Sequence, residues 1–313
     1  MEIVAKYGRD DLAILYIAQE DGKFIEFVES LQPPVPRDKK WVLILSTMFG
    51  CPVRCSMCDA GTYYHGKISS EVMLKQIDYM VSRRYPDGTI PVEKFKVQFA
   101  RMGEPALNPD VLDVMKKLPE IYNAPGLMPC ISTIAPSNAN KFMNEMLEIK
   151  NKLYRDGNFQ LQFSIHSTDE DIRKKVIPYK IWTLEKIAEY GEAFWQEGDR
   201  KITLNFAAEK DNPLDPDRLL EIYDPEKFFI KITPINPTEK AKAHSLKSMI
   251  DPEAGEFAKQ KIRAIENKGF DVLLSIGELE ENHIGSNCGQ HALKFENGTF
   301  TIEEFQKYEE ETS

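Results

Sequence analysis

WVLILSTMFGCPVRCSMC, Trp41–Cys58, is the stretch on which the reading of this chain turns. It opens on a short apolar run at residues 42–46, of the length of a buried strand rather than a helix. A Gly-Cys-Pro loop follows at once and places Cys51, Cys55 and Cys58 in C-x3-C-x2-C spacing. Three thiolates on one tight loop at a strand end can hold three irons of a [4Fe-4S] cube and leave one iron open to another ligand. Zinc is the plainer alternative. It normally takes four ligands, often as two spaced pairs, and no second pair exists in this sequence.

Outward from that strand the same kind of run recurs at residues 95–100, 128–133, 161–165, 202–207, 228–234 and 270–276. Helical stretches stand between them, best seen at 69–84, 109–118, 139–153, 182–196 and 252–267. Repeated strand–helix units with buried strands predict an α/β fold with a parallel sheet and right-handed crossovers. The expected architecture is a partial (β/α)6 barrel with its chemistry at the carboxyl ends of the strands. Ser69 or Ser70 is expected to cap the first helix, and Arg83 and Arg84 suit the negative end of its dipole. Upstream, residues 12–31 read as a β-hairpin turning at Asp21-Gly22, followed by a proline-rich connector. The expected divisions are a hairpin extension and connector (1–40), a core barrel (41–276) and a C-terminal loop and tail (277–313). A second hairpin turn is expected at Asn297-Gly298.

The 313 residues are 42% hydrophobic and 29% charged, which excludes disordered and collagen-like classes. A formal net charge of −10 is the wrong sign for a chain that wraps a phosphate backbone. No apolar run approaches the ~18 residues of a membrane span. The N-terminus lacks the order of a signal peptide. Five cysteines, three of them within eight residues, do not make a disulfide framework, so a reducing cytoplasm is expected.

The cysteine spacing after the first core strand resembles the radical S-adenosylmethionine (SAM) superfamily. Further motifs narrow the likeness to the RlmN/Cfr family of 23S rRNA adenine methyltransferases. Residues 101–108, RMGEPALN, resemble the family's M-G-E-P-L-x-N. Ile131-Ser132-Thr133 and Phe163-Ser164-Ile165-His166 resemble its S-T and S-L-H strand ends. Thr233-Pro234-Ile235-Asn236-Pro237 resembles its I-P-x-N-P, and Asn287-Cys288-Gly289-Gln290 its A-C-G-Q. The resemblance implies a [4Fe-4S] cluster on Cys51, Cys55 and Cys58, and SAM chelated by the open iron. Cleavage of SAM then gives a 5′-deoxyadenosyl radical. Gly103 and Glu104 would serve SAM, the carboxylate pairing with its ammonium. Ser132, Ser164, Ile165 and His166 end successive strands and would reach its ribose, carboxylate or base. Asn236, held between two prolines, would read the adenine edge. Cys288 would carry a methyl group from one SAM and pass it, as a methylene radical, to an sp2 carbon. Cys130 reads as core.

The likeness also breaks in places. The family's resolving cysteine stands seven residues before the first cluster cysteine, where this chain has Ile44. The family's general base corresponds to Glu29. Its helical N-terminal RNA-binding domain has no counterpart, and its basic strip before A-C-G-Q is replaced here by residues 277–281, GELEE. Lys240, Lys242 and Lys247 could serve one phosphate or carboxylate. The expected function is an RlmN/Cfr-like radical SAM enzyme, most simply a methyltransferase, acting through Cys288. A small molecule or peptide is favoured over rRNA as its substrate. The alternatives are an orthodox rRNA or tRNA adenine methyltransferase, or a radical SAM modifier in which Cys288 is structural. An electron donor such as flavodoxin or ferredoxin is the expected partner, and no membrane is involved.

Overall fold

The turn at Asp21-Gly22 forms as expected: both residues take left-handed backbone angles, φ 50 and 75, between two paired strands. The structure, a computed structural model, describes residues 1–250, 255–276, 284 and 291–298. In chain order the strands are β1 (Glu2–Arg9), β2 (Ala13–Glu20), β3 (Lys23–Ser30), β4 (Trp41–Leu45), β5 (Met48–Gly50), β6 (Tyr64–Lys67), β7 (Phe95–Phe99), β8 (Leu127–Thr133), β9 (Gln160–Ser164), β10 (Ile202–Ala207), β11 (Phe228–Thr233) and β12 (Val272–Leu274). The helices are α1 (Ser70–Arg84), α2 (Asp110–Ile121), α3 (Asn140–Leu153), α4 (Glu170–Val176), α5 (Leu184–Phe194), α6 (Pro216–Ile222), α7 (Glu239–Ala243), α8 (Gly255–Glu266) and α9 (His291–Glu296). The class is mixed α/β with mostly parallel core strands, and every apolar run named above forms a strand.

The chain forms two units. One comprises Met1–Pro52, Cys58–Ile131 and the described residues beyond Gly277; the other comprises Val53–Met57 and Ser132–Ile276. In the first, β1, β2, β3 and β4 pair antiparallel in sequence, and β4, β7 and β8 continue in parallel. Trp41 opens β4 opposite Phe95, their rings stacked at 5.3 Å, and both are fully buried. Burying side chains of this size contributes ~1.5–3 kcal/mol each. Ser69 caps α1 by accepting the N–H of Val72. Arg84 does more than face the helix dipole: it reaches back to Asp10 and to the buried Glu29.

In the second unit β9, β10, β11 and β12 are parallel neighbours. Gly191 lets α5 sit on this sheet, since a Cβ there would lie 2.2 Å from the Phe228 ring. Lys150 is fully buried because Asp199 and the Phe194 carbonyl take its ammonium.

Several elements go beyond what the sequence predicts. β1 adds a strand to the expected hairpin, and β5 pairs with β6 as a separate ribbon. The short helices α4 and α6 start at Asp169 and Asp215, whose carboxylates accept two backbone N–H groups each. Asn297-Gly298 is not a hairpin turn; its N–H groups close back on Leu293 and Phe295 and end α9. Part of the expected C-terminal loop therefore carries a helical turn. Among the described residues no helix is long and apolar enough to cross a membrane.

Candidate functional site

The β5–β6 ribbon is the frame of the cysteine loop. Chain leaves it at Gly50 and returns at Tyr64, which pair across it. Gly50 has φ 79, and a Cβ there would lie 2.1 Å from the Tyr63 carbonyl oxygen, so only glycine fits. That carbonyl also accepts the N–H of Cys51 at 3.0 Å. Cys51 and Cys58 are half-buried and pack against an apolar group of Ala60, Met102 and Ala292, with Phe24 and Tyr63 alongside. The middle of the loop, residues 53–57, belongs to the second unit. There Ser56 donates its N–H to the Val176 carbonyl at 3.0 Å, and the Met57 carbonyl accepts the Thr238 hydroxyl at 2.9 Å. Thr238 is fully buried, and its oxygen also accepts the Ala241 N–H at 2.9 Å, capping α7. Among the described residues no three His, Cys, Asp or Glu side chains gather round a single ion. The donor set suits a larger group: three soft thiolates consecutive on one loop, against apolar walls, fit a [4Fe-4S] cube.

Gly103 and Glu104 follow β7. Gly103 has φ 101, and a Cβ would come within 2.7 Å of Thr47 and Met48 at the start of β5. The same turn is tied by the Thr47 and Met48 N–H groups, which both donate to the Met102 carbonyl. Asn108, fully buried, donates to the carbonyls of Thr47 and Ile68 at 2.8 Å each, so the last residue of the RMGEPALN motif braces the cysteine loop. Glu104 is 4% exposed, and its Oε1 accepts the Ala106 N–H at 3.0 Å.

In the second unit Ser132 lies near the end of β8 and accepts a hydrogen bond from Gln162 at 3.2 Å. Ser164 ends β9, and Ile165 and His166 follow it, their N–H groups both donating to the Asn205 carbonyl. His166 has φ 66, a conformation histidine adopts more readily than most residues. Its Nδ1 accepts the Ala207 N–H at 3.0 Å, which leaves the ring proton on Nε2. Burial pushes its pKa down to about 4, with the Arg173 charge adding to the effect, so the ring is neutral at pH 7. Asn236 is half-buried just beyond β11, and its carbonyl accepts the Thr238 N–H at 2.8 Å.

Cys288 lies outside the described residues, as do Glu278, Glu280 and Glu281. Glu29 is 3% exposed, and Tyr16, Trp41 and Arg84 all donate to its carboxylate, Tyr16 at 2.6 Å. With both oxygens engaged in this way its carboxylate anchors the surrounding strands and helix α1. The carboxylate that reaches toward the C-terminal segment is Glu26. It is fully buried, its Oε1 lies 2.6 Å from Arg101 Nη2, and its Oε2 accepts the N–H groups of His291 and Ala292. Burial raises its pKa, and the Arg101 charge opposes that rise.

No family model matches the chain. Its sequence does align with a protein of Thermus thermophilus named "Probable dual-specificity RNA methyltransferase RlmN". The two are 27% identical over 299 residues, which cover 93% of this chain and 78% of that protein. A protein of Aliarcobacter butzleri named "Dual-specificity RNA methyltransferase RlmN" is 22% identical over 308 residues, covering 92% and 82%. The chain is similar to RlmN-type methyltransferases along most of its length. A solved radical SAM methyltransferase from Sphaerobacter thermophilus shares the fold, with TM-score 0.70 at 18% identity over 92% of this chain and 80% of that one. As an RlmN/Cfr-like protein it is an enzyme of the methyltransferase class whose cofactors are a [4Fe-4S] cluster and SAM.

Two residues that bear on this RlmN/Cfr-like site escape a reading of the sequence. Thr238 carries a weak signal, a hydroxyl ahead of Glu239 in the manner of a helix N-cap. Glu26 carries only its position, a carboxylate in an otherwise apolar run.

Proposed function

We propose that this radical SAM enzyme passes a SAM-derived methyl or methylene group through Cys288 to an sp2 carbon of its acceptor. The observation that carries the reading is the company of Ala292. Four residues beyond Cys288, it lies in the same apolar group that packs against Cys51 and Cys58. Ala292 thus stands beside two of the three cysteines that would hold the cluster, four residues along the chain from the candidate carrier. Cys51, Cys55 and Cys58 would hold the [4Fe-4S] group. Gly103, Glu104, Ser132, Ser164, Ile165, His166 and Asn236 are assigned to SAM. With both cofactors bound, the chemistry supplied is one-electron cleavage of SAM, the electron coming from a donor such as flavodoxin or ferredoxin.

The chain's own residues then bind and orient. Glu104, fixed by its own backbone cap, offers a carboxylate to an ammonium. His166, neutral at pH 7, forms hydrogen bonds without placing a cation beside a sulfonium. Ile44 is half-buried, lies opposite Val28 on β3 and packs against the apolar group that contains Ile284. No thiol stands at that position, so release of an adduct on Cys288 does not follow the route that the resemblance implies.

The acceptor we favour is a small molecule or peptide in a reducing cytoplasm, not rRNA. Many cations are already matched by carboxylates, such as Lys174 with Asp171, Arg218 with Glu185 and Glu221, Lys227 with Glu192 and Lys242 with Glu239. Exposed pairs of this kind add little stability, but they leave less charge for releasing counterions from a phosphate backbone. The second reading is an adenine-containing RNA, and the names of the aligned relatives favour it.

The test uses anaerobically reconstituted protein with methyl-labelled SAM, offered either an adenine-containing RNA or a mixed peptide and small-molecule fraction. The proposal expects Cys288→Ala to keep forming 5′-deoxyadenosine while losing label transfer, and expects the label to enter the second fraction. Full transfer by Cys288→Ala would remove the carrier role. Salt-sensitive RNA binding with label on adenine would establish the second reading.

A further inference from the structure

We infer that Glu26, Arg101 and His291 form a clasp that pins both ends of the segment carrying Cys288. The inference rests on the carrier reading for its purpose but not for its geometry. The pinned ends are Ile284 and His291, and both are described residues.

At the downstream end, α9 has six residues, too few to hold a helix by itself. Its placement is imposed from outside. The first N–H groups of a helix have no internal partner, and here two of them, from His291 and Ala292, donate to Glu26 Oε2 at 3.1 and 2.9 Å. A buried carboxylate demands pairing, because an unmatched charge away from water is strongly destabilising. Arg101, its side chain 2% exposed, supplies the countercharge at 2.6 Å from Oε1. Three distant parts of the sequence thus meet at one carboxylate: the N-terminal sheet, the turn after β7 and the C-terminal helix. Further along α9, Phe295 packs against Phe24 with ring centroids 5.7 Å apart, and His65 bonds Glu296 at 2.8 Å.

At the upstream end, Ile284 is 3% exposed and belongs to the apolar group built on β1, β2 and β3. The His291 ring lies close to the Ile284 backbone, so the residue that donates to Glu26 also stands beside the start of the segment. Burial and the neighbouring Lys294 and Arg101 charges keep that ring neutral.

A thiol that takes a group from a cofactor and gives it to a substrate must stay near both. Tethering it between fixed ends raises its effective concentration over that of a thiol on a loose tail, with no new contact at the thiol itself. The N-terminal sheet then has a purpose beyond stability: it brings Glu26 to the foot of the carrier segment. Glu26, Arg101 and His291 are positioning residues, acting through the segment and not on the reacting atoms.

The test is hydrogen–deuterium exchange on the full chain, read by peptide, together with the rate of Cys288 alkylation by iodoacetamide. In Glu26→Ala and in His291→Leu, exchange at residues 291–296 should accelerate at least tenfold relative to peptides from β10 and β11. Cys288 alkylation should change several-fold in step. Glu26→Gln keeps an oxygen for the two N–H groups and should fall between wild type and Glu26→Ala. Unchanged exchange at 291–296, or equal acceleration in every peptide, would overturn the clasp. Wild-type protein that shows the expected exchange pattern in its variants, yet takes no methyl group on Cys288, would leave the clasp standing and remove the carrier role.

Discussion

Cys51, Cys55 and Cys58 stand out in the bare sequence because thiolate spacing on a strand-end loop is a local property. Changing any of them to Ala should lower bound iron and sulfide from about four per chain to a small fraction and abolish SAM cleavage. Cys130→Ala should retain both, since Cys130 is 3% exposed within β8 and faces the core. Iron and sulfide assays on anaerobically purified protein decide this. The buried carboxylates are harder to read. Glu26 and Glu29 lie three residues apart on β3, and an odd separation on a strand points side chains to opposite faces. Sequence shows that alternation but not which face meets the C-terminal helix; only Arg101, His291 and Ala292 on one side, and Tyr16, Trp41 and Arg84 on the other, settle it. Ile44 belongs at this scale too. Ile44→Cys restores the thiol that the family resemblance calls for, at a core cost of about 1 kcal/mol. If the acceptor is not an adenine in RNA, that variant should gain no RNA methylation. A rapid turnover on RNA, seen with labelled SAM, would contradict the account.

The core strands are legible as elements because buried parallel strands are short apolar runs, and β4 and β7 through β11 follow that pattern. The helices α4 and α6 escape notice because seven residues carry too little periodicity, although Asp169 and Asp215-Pro216 are start signals. The β5–β6 ribbon escapes because its pairing spans the whole cysteine loop, and no local pattern announces such a contact. Thr238 joins two elements through one hydroxyl, donating to Met57 in the cysteine loop and accepting from Ala241 at the start of α7. Thr238→Val keeps the shape and removes both hydrogen bonds, which should cost about 1–3 kcal/mol. It should also alter the EPR spectrum of the reduced cluster, because the Met57 carbonyl beside Cys58 loses its donor. Thr238→Ser should restore the spectrum. A valine variant with an unchanged spectrum would mean that the hydroxyl serves α7 alone.

For the whole molecule, two imidazoles held neutral by their surroundings set a pH dependence. The pKa of His166 is pushed down to about 4 and that of His291 to about 3, both below the ordinary value of 6.5. On acidification the unfolded chain takes up these protons first, so their contribution to stability is complete above pH ~6.5 and declines as pH falls toward 4. Denaturant midpoints should therefore drop between pH 7 and pH 5. His166→Gln should flatten that slope, and an unchanged slope in the variant would show that the imidazole is not held neutral by the fold. Net charge, −10, is the whole-molecule property plainest in the sequence.

The central claim, that Cys288 carries the transferred group, is tested most directly by mass-spectrometric peptide mapping. Anaerobically reconstituted wild-type protein is incubated with methyl-labelled SAM, digested, and its cysteine peptides are assigned one by one. The account predicts S-methylcysteine at position 288 and at no other cysteine. Label absent from Cys288, with SAM cleaved and product formed, would contradict it.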